Sequence, residues 1–246
     1  MNNSNLMRRR KHKHHLHEVS DKELITRTPD ASLTEALKVA RTNLMYSLSD
    51  DEGGKAVLVT SAFSAEGKTT TCINLAATLA MTESKVLLVD ADLRKPRVHS
   101  YLNVKNTEGL ANYLGGFTKI EDITKRMIEF NFDYITAGSM PPNPAELFSS
   151  KKFSAFVEKV KEKYDYVIFD TPPVNAVSDA LSIVNHVQNV VFICRCGIST
   201  TNEVRKAISA LEFAHAKILG FITIDSYKKK SDGYNSYSGY YYYYYR

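Results

Sequence analysis

The segment 61–70, which reads SAFSAEGKTT, follows a short apolar run and precedes a helical pattern. In a loop between a strand and a helix, backbone N–H groups and the helix N-terminus can bind phosphate. We expect the N–H groups of 65–69 to hold a β-phosphate, Lys68 to reach the β- and γ-phosphates, and the Thr69 hydroxyl to bind Mg²⁺. The residues assigned to nucleotide binding are Ala65, Glu66, Gly67, Lys68, Thr69 and Thr70.

Acidic residues end two further apolar runs. Asp90 and Asp92 follow KVLLV, and Asp170 ends DYVIFD. The carboxyl ends of parallel strands meet at one edge of a sheet, so these carboxylates should lie beside the phosphate loop. A single acidic residue at a strand end is common, but three of them with a phosphate loop predict a Mg²⁺–nucleotide site. We assign Thr69, Asp92 and Asp170 to the metal.

The C-terminus concentrates tyrosine. The last 13 residues hold eight of the chain's 15 tyrosines, namely Tyr234, Tyr237, Tyr240, Tyr241, Tyr242, Tyr243, Tyr244 and Tyr245. The segment contains Gly, Ser and Asn but no aliphatic residue, so we expect 227–246 to be disordered. It is either a low-complexity tail kept soluble by nearby basic residues or a set of phenolic hydroxyls presented to an enzyme.

Short continuous apolar runs alternate with helical patterns from residue 55 onward. The predicted strands are 56–61, 85–90, 132–137, 165–170, 189–195 and 217–224. The predicted helices are 32–48, with Ser32 as N-cap and Glu35 three residues on, and 68–81, 151–164, 178–186 and 200–214. Continuous apolarity indicates strands buried on both faces. The predicted fold is therefore α/β, a doubly wound, mostly parallel sheet with helices on both faces. The phosphate loop after its first strand makes it similar to the P-loop NTPases.

Composition and charge bound the organisation of the chain. With 246 residues, 43% of them hydrophobic, it can form one large domain, predicted at 31–226. Residues 1–30 form a predicted mobile arm, basic at RRRKHKHH, which suits solubility or anionic lipid; we expect no nucleic-acid partner. The chain has no apolar run of about 18 residues and no signal peptide, so we expect a cytoplasmic protein. Three cysteines without metal-ligand spacing predict reduced thiols.

Taken together, these motifs resemble those of the bacterial tyrosine kinases. SAFSAEGKTT is similar to their Walker A loop, VLLVDADLRKP to their Walker A′ motif and YVIFDTPP to their Walker B motif. NPAEL, VSDA around Asp179, and FICRCGIST also fit, and the likeness runs from residue 32 to the C-terminus. The tail resembles the autophosphorylation cluster of the stand-alone cytoplasmic kinases of Gram-positive capsular and exopolysaccharide synthesis.

The resemblance implies an ATP- and Mg²⁺-dependent protein-tyrosine kinase that phosphorylates its own tail. Lys68 is expected to stabilise the γ-phosphoryl charge. Asp90 is expected to orient or deprotonate the incoming tyrosine, a phenol of pKa ~10. Asp92 belongs to the metal-binding set. Arg94 is either a charge partner of the transferred group or a solvated loop arginine.

The resemblance also implies an assembly and several partners. Glu35, Lys38 and Arg41 correspond to an E-x-x-R-x-x-R motif that builds a ring of identical subunits. Lysine cannot reproduce a bidentate guanidinium–carboxylate fork, and a simple surface charge stripe is the alternative. Further expected partners are a transmembrane activator of the polysaccharide co-polymerase type acting through its cytosolic tail, a tyrosine phosphatase and protein substrates. The activator would recruit the chain to the inner face of the plasma membrane.

Two other functions fit parts of the sequence. The first is an ATPase switch of the septum-positioning or partition type. Such switches carry a signature lysine where this chain has Phe63, and they usually lack a tyrosine cluster. The second is a nucleotide-binding regulatory platform without kinase activity. This reading is favoured by Ala62 in place of the usual first loop glycine, by Lys38, and by Asp225 near a position where relatives often place an adenine-contacting Asn.

Overall fold

The described part of the chain, in a computed structural model, consists of Leu24 and residues 31–225, with seven strands and nine helices. The strands are β1 (Lys55–Ser61), β2 (Val86–Asp90), β3 (Lys125–Met127), β4 (Phe132–Ile135), β5 (Tyr166–Asp170), β6 (Asn189–Arg195) and β7 (Lys217–Ile224). The helices are α1 (Ala31–Ser47), α2 (Lys68–Ala80), α3 (Val98–Tyr101), α4 (Leu110–Gly115), α5 (Ile120–Ile123), α6 (Pro144–Phe148), α7 (Lys151–Lys161), α8 (Asp179–Val184) and α9 (Thr201–Phe213).

The strands form one sheet in the order β3-β4-β2-β5-β1-β6-β7. Every neighbouring pair is parallel except β3 and β4. From β1 the chain passes to β2 on one side and later to β6 and β7 on the other. This reversal places a topological switch point at the carboxyl ends of β1, β2 and β5, where ligands bind in open α/β sheets.

Both faces of the central strands are buried. In β1, Val57 and Val59 pack into a cluster with Leu75 of α2, while Leu58 packs into a second cluster with Phe153 of α7. Fully burying such a side chain stabilises the fold by about 1.5–3 kcal/mol. Since successive residues serve opposite faces, the strand sequences are continuously apolar, and the predicted doubly wound α/β fold is confirmed.

The elements that were not predicted are short. β3 has three residues, with Lys125 and Arg126 exposed, and pairs antiparallel at the edge of the sheet, so no apolar run marks it. Helices α3 to α6 have four to six residues each, too few for a helical period to show. The predicted N-cap Ser32 was wrong. Ala31, a strong helix former, already lies in α1, so the capping position falls earlier in the chain.

The predicted basic arm at 1–30 and the predicted tail at 227–246 lie outside the described residues, apart from Leu24. Leu24 is buried in the cluster that contains Leu44 of α1 and Leu75 of α2. None of the helices in the described part of the chain is long and apolar enough to cross a membrane.

Candidate active site

The phosphate loop joins β1 to α2 and has an unusual backbone. Ala65 and Gly67 have φ angles of 65° and 89°, in the left-handed region. Glycine suits position 67 because of this left-handed conformation, and an added side chain would also push Ile224 Cδ1 aside. Gly67 is the N-cap of α2, and no side chain caps that helix end. Its N-terminal dipole therefore faces the loop, as binding of a phosphate requires.

Lys68 is held inside the loop. Its Nζ donates hydrogen bonds to Ser61 Oγ at 3.1 Å and to the carbonyl oxygen of Phe63 at 3.2 Å. The residue is only 8% exposed, and burial lowers the pKa of its ammonium group, against the opposing effect of Asp170. A buried ammonium whose partners are two neutral oxygens is well placed to exchange them for a phosphate.

Thr69 and Asp170 meet as predicted. Thr69 Oγ1 donates a hydrogen bond of 2.6 Å to Asp170 Oδ2. The other carboxylate oxygen, Oδ1, is buried and accepts no hydrogen bond from the described residues; a buried, unpartnered carboxylate oxygen is costly. Burial raises the pKa of Asp170 above its usual range. The hydroxyl and the free carboxylate oxygen are hard ligands of the type that Mg²⁺ takes.

Asp90 lies beside Asp170 in the parallel register of β2 and β5 and is fully buried. Its Oδ1 accepts from the N–H of Asp92 at 3.3 Å. Its Oδ2 accepts from the N–H groups of Arg97 at 3.2 Å and Val98 at 3.1 Å. Burial, followed by the charges of Asp170 and Asp92, raises the pKa of Asp90 well above its usual range. Asp90 therefore orders the loop after β2, and its carboxylate is a stronger base than that of an ordinary aspartate.

The loop after β2 is held at two further points. Asp92, which is half-buried, accepts at Oδ1 from the N–H groups of Arg94 at 3.3 Å and Lys95 at 2.9 Å. Arg94 forms a fork with Asp179, the first residue of α8, through Nε–Oδ2 at 2.7 Å and Nη2–Oδ1 at 3.0 Å. Asp179 is fully buried, whereas Arg94 is 42% exposed, so Arg94 is a solvent-exposed loop arginine that also holds a buried carboxylate.

A second set of contacts braces the phosphate loop. Glu66, predicted to bind nucleotide, turns its carboxylate inward, where it accepts from the N–H of Phe63 at 2.7 Å and from the Ser199 hydroxyl. Arg195 donates to the carbonyl oxygen of Ala65 at 3.3 Å and pairs with Asp225 at 2.8 Å. The Glu66 side chain thus shapes the loop rather than facing a ligand. Thr70 lies half-buried in the first turn of α2.

Three residues of the site were not assigned from the sequence. Ser61 contacts Lys68, Ser199 contacts Glu66, and Asp179 holds Arg94. Asp179 stood in the VSDA motif, but its role depends on an arginine 85 positions earlier. No grouping of three or more His, Cys, Asp or Glu forms a ready-made metal cage in the described residues.

The residues assigned to oligomerisation make contacts within the chain. Lys38 Nζ pairs with Glu35 Oε1 at 2.7 Å on the exposed face of α1. Arg41 instead reaches across to α2 and donates to the carbonyl oxygen of Thr78 at 3.0 Å. Glu35 and Lys38 therefore lie on the exposed face of α1, while Arg41 ties α1 to the body of the domain.

Comparison with known proteins identifies the family. Residues 55–217 match the family described as AAA domain. The tyrosine-protein kinase YwqD of Bacillus subtilis is 39% identical over 217 residues, which are 88% of this chain and 91% of that protein. The chain belongs to the bacterial tyrosine kinase family. The tyrosine-protein kinase wzc of Salmonella typhi is 34% identical over 212 residues, which are 86% of this bacterial tyrosine kinase but only 29% of that protein.

The fold comparison agrees with this assignment. The kinase domain of the Escherichia coli tyrosine kinase ETK is 34% identical and superposes with a TM-score of 0.81, covering 88% of this chain and 84% of that one. The predicted class, protein-tyrosine kinase, is confirmed at the level of the family, and the septum-positioning or partition switch is set aside. The fold of the bacterial tyrosine kinase is that of nucleotide-binding P-loop proteins, as predicted.

Proposed function

We propose that this kinase transfers the γ-phosphoryl group of Mg²⁺-ATP to tyrosine hydroxyls, including those of its own tail. The observation that carries the proposal is the convergence of Lys68, Thr69, Asp90 and Asp170 at one edge of the sheet in a chain that ends in a tyrosine cluster. The proposed acceptors are Tyr234, Tyr237, Tyr240, Tyr241, Tyr242, Tyr243, Tyr244 and Tyr245.

The phosphate loop and the N-terminus of α2 supply the binding site that we propose for the β- and γ-phosphates. Lys68 would exchange its contacts with the neutral oxygens of Ser61 and Phe63 for phosphate oxygens. The negative charge of the phosphate stabilises a buried ammonium better than a neutral oxygen does. A positive group fixed beside the γ-phosphoryl oxygens stabilises the charge that develops during transfer.

Thr69 Oγ1 and Asp170 Oδ1 are the oxygens that we propose to hold Mg²⁺, with Asp92 contributing directly or through water. The ion, when bound, neutralises charge on the phosphates. Asp170 already holds the Thr69 hydroxyl, so the two oxygens are positioned together before any ligand arrives.

Asp90 is the proposed proton acceptor. As the tyrosine oxygen bonds to the γ-phosphorus and the bond to ADP breaks, the phenolic proton passes to the Asp90 carboxylate. Its raised pKa makes it a stronger base than an ordinary aspartate. The pair with Asp179 uses Nε and Nη2 of Arg94, which leaves Nη1 for the charge-neutralising role that we assign to this residue.

The decisive experiment incubates the full chain with Mg²⁺ and γ-labelled ATP. We expect label on tyrosine, its loss in Lys68→Met, and retention in the control Lys85→Met, an exposed lysine just before β2. Replacement of the eight tail tyrosines by Phe should remove most of the label. ATP hydrolysis without phosphotyrosine would instead indicate a switch, and binding without turnover a regulatory platform.

We also propose that the kinase works in an assembly at the membrane. Glu35 and Lys38, exposed on α1, would contact a neighbouring subunit in a ring. A transmembrane activator would recruit the chain to the inner face of the plasma membrane and increase its activity, a tyrosine phosphatase would reset the tail, and the regulated process would be capsular or exopolysaccharide synthesis. Labelling with and without the activator's cytosolic tail tests the activation step, which fails if the rates are equal.

A further inference from the structure

A groove of about 350 Å³ lies between the end of α4, the loop after β4 and helix α6. Phe117, Met140, Pro141 and Leu147 supply its apolar lining, and Asn112, Ser139 and Glu146 supply polar atoms. The contacts that form the proposed phosphate-transfer site leave this groove unused.

The groove opens at the same edge of the sheet as the proposed site. Its loop follows β4, which pairs with β2, and β2 ends at Asp90. Helix α6 packs against α8, which begins at Asp179, the partner of Arg94. A peptide bound in the groove would therefore lie beside the carboxylates.

Hydrogen bonds between neighbouring segments hold the wall of the groove in place. Asn112 Oδ1 accepts from the N–H groups of Gly109 and Ser139, both at 3.1 Å. Asn106 donates from Nδ2 to the carbonyl oxygen of Gly138 at 3.2 Å, and its Oδ1 accepts from the N–H of Gly138 at 2.8 Å. Gly138 has a φ of 79°, and a side chain there would collide with Asn112 Oδ1. The wall is pre-organised, which lowers the entropic cost of binding a partner.

The lining of the groove is largely apolar, and its one carboxylate would repel an anion. Phe117 is 84% exposed and Met140 is 71% exposed, so two large apolar side chains stand in water unless something covers them. Glu146 is the charged residue among the described side chains that line the groove, which include no Lys, Arg or His. A neutral tyrosine suits such a surface, because its ring packs on apolar groups and its hydroxyl can bond an amide or carboxylate.

We propose that this groove binds the unphosphorylated tyrosine segment 234–245 and rejects it once it is phosphorylated, a proposal that rests on the kinase function proposed above. Phosphotyrosine carries about −1.5 to −2 charges. In the groove that charge would meet the Glu146 carboxylate, and the described lining side chains offer no cation, since Lys152 at the rim beyond Gly116 lies over the Tyr113 ring. The groove therefore presents fresh tyrosines to the site and releases the product, while the lysines at 228–230 complement the Glu146 carboxylate.

The length of the tail allows this occupancy. β7 and β4 are five strand positions apart in the sheet, or roughly 24 Å at ~4.8 Å per strand. The 15 residues from Asp225 to Tyr240 span up to about 50 Å at ~3.3 Å each. The tail of the same subunit is therefore long enough to reach the groove, and so is the tail of a neighbouring subunit.

The test uses the full chain carrying Lys68→Met, so that no phosphorylation occurs and binding is read independently of activity. A photoreactive benzophenone amino acid in place of Tyr240 should crosslink to groove residues, identified by mass spectrometry. A fluorescent peptide of residues 229–246 should bind at least about tenfold more weakly when Phe117→Ser and Met140→Ser are combined, a change of ~1.4 kcal/mol. The matched control is Phe213→Ser on α9, 88% exposed and outside the groove.

A second experiment tests whether negative charge on the tail weakens its binding. The phosphorylated peptide should bind at least about tenfold more weakly than the unmodified one, and Glu146→Lys should remove or reverse that preference. Crosslinks that map elsewhere, equal weakening by Phe213→Ser, or a phosphopeptide that binds as tightly would overturn the proposal. If the wild-type chain binds the peptide as expected but shows no kinase activity, the proposed function is overturned and the docking of the peptide is not.

Discussion

At the scale of single residues, the site consists of buried charged groups whose contacts within the protein are incomplete. Lys68 is a buried cation whose hydrogen-bond partners are a hydroxyl and a carbonyl oxygen. Asp170 keeps one buried oxygen without a hydrogen bond, and Asp90 lies beside it with a raised pKa. The buried carboxylates of the site are therefore electrostatically strained, and the Mg²⁺–nucleotide that we propose to bind there would relieve that strain.

Replacing Asp170 by Asn should stabilise the protein without ligand while abolishing its stabilisation by Mg²⁺. The Asp170 pKa is raised in the folded state, so its charge costs nothing below the unfolded pKa and costs more as pH rises toward the folded value. We expect Asp170→Asn to melt a few degrees higher than wild type at pH 8, for a gain on the order of 1 kcal/mol, and to show a clearly smaller gain near pH 4.5, where the unfolded carboxylate is ionised but the folded one is mostly protonated. Calorimetry at both pH values checks this.

A neighbouring substitution serves as the comparison. Thr69→Val removes the hydroxyl ligand but keeps the carboxylate charge, so it should lose Mg²⁺ stabilisation without the pH-dependent gain. An Asp170→Asn variant whose melting temperature is unchanged or lower at pH 8 would contradict the strain argument.

At the scale of elements, the segment between β2 and α3 is held from three directions. Asp90 fixes its far end through Val98, Asp92 fixes its start through Lys95, and Asp179 fixes it from α8 through Arg94. Because α8 follows the loop after β5, the Arg94–Asp179 fork links the two acidic strand ends. The positions of the carboxylates that we propose to bind Mg²⁺ thus depend on a contact between distant elements.

Arg94→Ala should destabilise the domain by about 2–4 kcal/mol, since it leaves the fully buried Asp179 carboxylate without its partner. The double variant with Asp179→Asn should cost less than the sum of the two single changes, a coupling of at least about 0.5 kcal/mol by urea unfolding. Arg126→Ala is the control, because its pair with Asp133 lies at the surface and should cost under about 1 kcal/mol. Additive costs for Arg94 and Asp179 would refute the coupling.

At the scale of the whole molecule, α1 combines two roles that the motif alone does not separate. Arg41 bonds the Thr78 carbonyl oxygen and so supports the fold, whereas Glu35 and Lys38 pair on the exposed surface. An Arg41 substitution would therefore confuse loss of folding with loss of assembly. Lys38 is the cleaner position for testing the ring.

Lys38→Arg should strengthen self-association, because a guanidinium can form a bidentate fork with a neighbour's carboxylate and an ammonium cannot. Sedimentation velocity over a concentration series should show assembly at lower concentration than in wild type. Lys159→Arg, on a comparably exposed lysine that pairs with Glu121, should leave the distribution unchanged. Identical behaviour of Lys38→Arg and wild type would show that this position lies outside the interface.

Tail phosphorylation should loosen the assembly. Eight phosphotyrosines at about −1.5 to −2 charges each add roughly −12 to −16 to a chain of net charge +5, so the tails of neighbouring subunits would repel one another. Sedimentation of the fully phosphorylated protein should show smaller species, and more so at low salt. An intact ring at full phosphorylation would exclude this charge switch.

Much of this protein was determined by its sequence alone. Continuous apolar runs predicted six of the seven strands, because both faces of a parallel sheet are buried and each strand records that burial locally. The phosphate loop and the acidic strand ends were also predicted, since the carboxyl ends of parallel strands meet at one edge. Thr69 and Asp170 were both expected at that edge, where the structure joins them by a hydrogen bond.

Only the tertiary structure decided which partners the charged side chains take. Nothing within a few residues of Arg94, Arg41 or Glu66 indicates that they bond Asp179, Thr78 and Ser199. Such contacts join residues 37 to 133 positions apart, so they depend on how helices pack on the sheet and not on local pattern. The groove between α4 and α6 is of the same kind, because its walls come from two separate segments, 111–117 and 139–147, that meet only in the fold.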